Sequence, residues 1–147
     1  MNPQAFVMTP EQYPRTLDVL GVQITVLAPK TATQAYEITL QRGDEGGGPP
    51  PHSHPWDESF FVTAGTVDFD CAGSTQQVGA GTLVHVPAGT VHAFRFGRGG
   101  GAMIEFTGAG TGASTMFTDM AQRVPPGPPD VPALIALLKG HRVSVAL

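Results

Sequence analysis

The chain has 147 residues and a mass of 15.3 kDa, about one domain, which is long enough to bury a core without disulfides or a structural metal. Only 14% of residues are charged, the net charge is −4, and the eight Lys and Arg are scattered, so no basic face is available to neutralise phosphates and nucleic acid is excluded as a partner. Cys71 is the single cysteine, which excludes an internal disulfide and any Cys-rich zinc site.

The opening "MNPQAFVMTPEQYPRTL" has neither a basic start followed by an apolar run nor a membrane-length apolar stretch, which predicts a soluble, cytoplasmic protein with no membrane partner. Residues 1–16 carry Pro3, Pro10 and Pro14 and are expected to form an extended arm along an edge or on a partner subunit. From Leu17 to Phe106 short alternating runs follow one another: "VQITVLA", "QAYEITLQ", "ESFFVTA", "TVDFDCA", "TLVHVP", "HAFRF" and "AMIEF". Gly, Pro, Asp or Ser turns separate them, and seven or more strands at this spacing predict an all-β antiparallel sandwich or barrel over residues 17–107.

Residues 108–147 change period while remaining part of the same domain. Ala113, Met116, Phe117, Met120 and Ala121 fall at helical spacing behind Ser114 as expected cap. After "RVPPGPPDVP", a second stripe of Val131, Leu134, Ile135 and Leu138 has Asp130 as cap and Gly140 as stop, and "RVSVAL" can add an edge strand. The segment "GAGTGA", 108–113, fits a dinucleotide-binding pattern, but no βαβ unit surrounds it, so that reading is rejected.

The chemistry-bearing residues lie in "PPPHSHPWDESFFVTAG", 49–65. Side chains alternate along a strand, so His52 and His54 share a face, and Glu58 shares their even parity although Pro55 interrupts the strand. Phe60 and Val62 continue inward from Glu58, giving the acid an apolar neighbourhood in which a bare carboxylate is costly and a cation would relieve the cost. "VPAGTVHAFRF" adds His92 after a Pro87–Gly89 turn, with Phe94 and Phe96 at the same parity. Three neutral imidazoles and one carboxylate would hold one divalent transition metal, with Fe, Mn, Ni, Co, Cu and Zn not distinguished, and would leave up to two octahedral positions open for a catalytic role.

These residues resemble the cupin superfamily. Its first motif, G(X)5HXH(X)3-4E(X)6G, is matched by Gly46, His52, His54, Glu58 and Gly65, and its second, G(X)5PXG(X)2H(X)3N, by Gly81, Pro87, Gly89 and His92, with Phe96 in place of the final Asn. Fifteen residues separate Gly65 from Gly81, similar to the spacing of small microbial cupins. The resemblance implies a double-stranded β-helix, or jelly-roll, barrel with short C-terminal helices and His52, His54, Glu58 and His92 as metal ligands. It also implies a small-molecule ligand and a homodimer. The order of barrel, Phe117-bearing helix, Pro-rich turn and terminal helix is weakly similar to quercetinase-like single-domain cupins.

The expected function is a metal-dependent dioxygenase acting on a small oxygen-bearing substrate, aromatic ones included, with Glu58 as catalytic base because it is the one acid with inward parity. The alternative is a non-catalytic small-molecule or sugar-binding module. A sugar-nucleotide isomerase ranks last, because Arg42 and Arg95 are the nearest basic residues for a phosphate. Phe60, Phe94 and Trp56 are the candidate pocket residues, with ordinary barrel core as the competing assignment for the phenylalanines and a half-exposed loop aromatic for Trp56. Asp57, at odd parity, is expected in solvent.

Overall fold

The computed structural model of the chain describes residues 2–108 and 110–146; Ala109, inside "GAGTGA", lies outside the described residues. The strands are β1 Leu17–Val19, β2 Val22–Ala28, β3 Glu37–Gly43, β4 His52–Ser53, β5 Glu58–Cys71, β6 Ser74–Gly79, β7 Leu83–Val86, β8 His92–Thr107 and β9 Ser144–Val145. Among the described residues a 3-10 turn at Pro10–Gln12 and three α-helices accompany them: a short α1 Lys30–Thr33 that the sequence reading does not foresee, α2 Ala113–Arg123 and α3 Val131–Gly140. All strand pairs are antiparallel.

Two long strands organise the barrel. Runs expected as separate strands are continuous here: "ESFFVTA" and "TVDFDCA" form β5, and "HAFRF" and "AMIEF" form β8. The two pair along their whole length, from Glu58↔Thr107 to Cys71↔His92, with register breaks at Val62/Ala64 and Gly65/Val67. Such bulges bend a strand and raise its twist, which lets one ribbon serve two sheets. Gly65 sits at the bend with φ 66°, where an added Cβ would lie 2.1 Å from the Gly100 carbonyl oxygen, so a side chain there would block the crossing.

Around that ribbon, one sheet runs β1-β2-β3-β8-β5-β7 through the C-terminal half of β8 and the N-terminal half of β5. The other runs β9-β4-β8-β5-β6 through their opposite halves. The result is a curled antiparallel jelly-roll barrel. Its core includes Val22, Ile24, Phe60, Val62, Val67, Phe69, Val86, Phe94, Phe96 and Met103. On β5, residues 58, 60 and 62 are buried as the alternation requires.

The helices cover the barrel. α2 buries Ala113, Met116, Phe117 and Met120, and α3 buries Leu134 and Leu138, each large side chain contributing roughly 1.5–3 kcal/mol. Asp130 caps α3, accepting from the Ala133 amide at 3.2 Å. Ser114 is not the cap of α2; Gly112 holds that position, and the Glu37 carboxylate receives both the Ser114 amide (2.9 Å) and its hydroxyl (2.6 Å). A carboxylate at a helix N-terminus is favoured by the exposed amides there, and only the fold brings Glu37 of β3 to it. The expected edge strand is β9, which pairs Val145 with His52. Among the described residues no helix is long and apolar enough to cross a membrane.

Candidate metal centre

The three histidines arrive from two short segments held side by side. His52 pairs directly with His92 across β4 and β8. The Gly89 amide donates to the His54 carbonyl at 2.9 Å, and the Ala88 amide donates to Asp57 Oδ1 at 2.8 Å. Asp57 is exposed, as its parity predicts, but it ties the two histidine-bearing loops together. One ring nitrogen from each of His52, His54 and His92 lies within 4.8 Å of the other two.

Ring orientation follows a single pattern. The Nδ1 atoms of His52, His54 and His92 contact the backbone carbonyls of Pro50 (2.8 Å), Trp56 (3.0 Å) and Thr90 (2.8 Å). A carbonyl oxygen only accepts, so each Nδ1 carries the proton and each neutral ring presents an Nε2 lone pair. Outer hydrogen bonds of this kind fix tautomer and aim in histidine metal sites.

Glu58 joins the cluster. Its Oε2 is 2.7 Å from His54 Nε2 and its Oε1 is 3.2 Å from His92 Nε2. Both Nε2 atoms are nevertheless buried without an aligned hydrogen bond. A lone pair facing a carboxylate oxygen at this distance is repulsive unless a proton or a metal ion lies between them, so the donor set fits a first-row divalent ion. Burial pushes the Glu58 carboxyl up, but contact with His54 and His92 outweighs it and holds the group below the ordinary carboxylate range. Burial, followed by the charge of His92, lowers His52 to about 4, leaving it neutral and ready to donate at neutral pH.

A cavity of about 70 Å³ opens beside the cluster. Phe60, Phe94 and Trp56 all line it, together with Met116, Phe117 and Met120 of α2. Phe96 does not, and packs in the core instead. Trp56 is not half-exposed; it retains 6% of its surface and stacks on His54 with ring centroids 4.2 Å apart and planes 6° from parallel. The Arg142 guanidinium lies over the same ring, 5.7 Å from its centroid. Neither Arg42 nor Arg95 lines the cavity.

Two polar cavity residues escape the sequence reading. Glu105 and Gln41 line the wall on β8 and β3 and are 5% and 2% exposed, so Glu58 is not the only inward acid. The parity of "AMIEF" places Glu105 with Met103 on the buried face, a signal that was available but lacked a motif around it. Burial, then the charge of Glu58, pushes the Glu105 carboxyl well above its ordinary value.

Residues 38–103 match the family model of the cupin domain. No curated protein sequence matches the chain. Among solved structures, KdgF from Halomonas sp. superposes with a TM-score of 0.65 at 19% identity, covering 71% of this chain and 94% of that one. An RmlC-like cupin from Shewanella frigidimarina NCIMB 400 gives 0.64 at 19% identity, covering 74% and 94%. The polyketide cyclase RemF from Streptomyces resistomycificus gives 0.59 at 20% identity, covering 71% and 78%. The motif-bearing strands, the jelly-roll barrel and these likenesses agree: residues 38–103 match the cupin domain, and the fold built around them is the cupin barrel.

Proposed function

We propose that the chain is a mononuclear metal enzyme in which His52, His54 and His92 hold one divalent transition ion through Nε2, with Glu58 as the fourth donor. The observation that carries this reading is the pair of buried Nε2 atoms, on His54 and His92, that face a carboxylate with no aligned hydrogen bond. When bound, the ion supplies Lewis acidity and open positions for oxygen ligands. The carbonyls of Pro50, Trp56 and Thr90 hold the rings in place, and the apolar walls exclude water. Glu58, kept ionised by its neighbours, would take the proton of a substrate hydroxyl on loosening from the ion.

The finer reading is a dioxygenase acting on a small oxygen-bearing substrate flanked by Phe60, Phe94 and Trp56. The 70 Å³ cavity is far below the ~300–1,000 Å³ of sites for drug-sized ligands, which favours a compact guest over a polycyclic one. A second reading, supported by the cyclase named among the structural neighbours, is Lewis-acid chemistry without net oxidation. We place a homodimer alongside, on the exposed Phe61, Leu83 and Phe106 of one outer sheet face; a monomer in sedimentation would remove it.

Metal analysis of the purified protein, followed by oxygen uptake with catechols and β-diketones, tests the assignment. A full metal complement with uptake on one of these substrates is expected. Full metal with no uptake moves the assignment to the non-oxidising reading or to a binding module, and absence of metal overturns it. Glu58→Gln should abolish turnover more completely than it lowers metal content; equal losses would sink the base role.

A further inference from the structure

The inner face of β3 departs from the barrel's pattern. Strand positions that face a core are ordinarily apolar, yet Glu37, Thr39 and Gln41 are all buried there, at 2%, 1% and 2% exposure. Glu37 is accounted for by the helix α2 terminus and the Lys30 amide. Thr39 and Gln41 instead run into a short hydrogen-bonded chain: Gln41 Nε2 donates to Thr39 Oγ1 at 3.2 Å, and Thr39 Oγ1 donates to Glu105 Oε1 at 3.1 Å. Thr39 lies directly opposite Glu105 in the β3/β8 pairing. Of the three, Gln41 and Glu105 line the same cavity as His52, His54 and Glu58.

Strand register sets the separation of this group from the metal centre. Glu58 pairs with Thr107 and Phe60 with Glu105, so the two inward acids are diagonal neighbours on one sheet face, a spacing of about 7–8 Å. The remaining wall is largely apolar, and among the described residues no Lys or Arg lines it. An anion has a place at the histidine cluster, but a second anion has none.

We propose that Glu105 and Gln41 form a second anchor for the substrate, and that the guest is a small hydroxy acid whose anionic end meets the histidine-bound metal and whose neutral hydroxyl meets Glu105 and Gln41. This rests on the metal assignment above. It narrows the substrate class by three properties: compact, singly charged, and oxygenated at both ends. A site that offers a hydroxyl its polar side chains discriminates against an analogue without it, because the analogue sets an apolar end against those polar groups.

The test is calorimetric, on zinc-loaded protein, with 4-hydroxybutyrate, butyrate and glutarate as probes. The wild type should bind 4-hydroxybutyrate at least about tenfold more tightly than either butyrate or glutarate. Glu105→Leu should erase the preference over butyrate while butyrate affinity holds, and Glu105→Gln, which keeps a hydrogen-bonding head, should restore most of it. A merely structural Glu105 would shift all three probes together. Thermal unfolding of each variant is read in the same samples; if Glu105→Leu does not fold, Gln41→Leu carries the same expectation. Equal affinity of the wild type for 4-hydroxybutyrate and butyrate, no binding of 4-hydroxybutyrate, or an unchanged preference in folded Glu105→Leu overturns the proposal. Zinc content is measured throughout: failure to load zinc sinks the metal assignment, whereas full zinc without hydroxyl preference sinks only the second anchor.

Discussion

The cavity has two polar walls of different origin. The histidine wall is built from residues close in sequence, His52, His54 and Glu58 within seven positions, joined to His92 by one strand pair. The second is built from Gln41 and Glu105, 64 positions apart and joined through Thr39 across the β3/β8 pairing. Both are buried and polar, but the first leaves ring nitrogens without aligned partners while the second links its members to one another. A wall with unsatisfied donors calls for a ligand of its own, whereas a linked wall holds its shape without one and can serve as a fixed point of recognition.

Variants should separate the two walls. The largest effect is expected at the first: His92→Ala should weaken metal binding by more than about a hundredfold, since even outer hydrogen-bond partners of metal ligands are worth 10–100-fold. In the wild type, metal at about one hundred times its dissociation constant should raise unfolding free energy by about 2.7 kcal/mol, and His92→Ala should lose that gain. Elemental analysis and metal-dependent melting check it, and retained metal in folded His92→Ala would show that the wall is no metal site.

An intermediate effect is expected at the second wall, and it depends on pH. The Glu105 carboxyl is raised in the fold by burial and by Glu58. A raised acid contributes its stability below its ordinary value of 4.5 and loses it as pH rises through the folded value. Glu105→Gln should therefore melt higher than the wild type at alkaline pH, with the gap closing as pH falls towards 4.5. A gap that does not depend on pH would mean that the linked wall does not hold a neutral acid.

The smallest effect lies outside both walls, where Asp119 of α2 accepts from His141 Nε2 at 2.8 Å beyond the end of α3. Contact with His141 lowers the Asp119 carboxyl, so its contribution is complete above the ordinary 3.8 and lost as pH falls through the lower folded value. Asp119→Asn should cost little at neutral pH, as exposed pairs do, and should leave metal content and probe binding unchanged. A change in either would show that the Asp119–His141 contact sets the position of the cavity-lining helices.

The legible part of the site is the part whose partners lie on one strand or one turn. Even parity carried His52, His54, Glu58, Phe60 and His92 to the interior, and spacing joined them to the family pattern. Glu105 and Gln41 follow the alternation of their own strands, at odd positions, yet each stands in an ordinary-looking strand, and nothing local marks their pairing. The same limit applies to the cap of α2: Ser114 is the local candidate, but a carboxylate 77 positions away takes the role. Trp56 shows it again, because only the folded loop stacks it on His54 and under Arg142.

Alternation, turn residues and two spaced motifs were enough, in the sequence alone, to reach the all-β barrel and the histidine cluster, because period and short-range spacing are local geometry that a chain carries in its order. Tertiary structure decided how many strands there are, since bulges at Val62/Ala64 and Gly65/Val67 join four expected runs into two, and it decided which polar residues share the cavity. Those outcomes depend on cross-strand register, where a shift of one residue moves every side chain to the other face, and register is a property of the paired strands together.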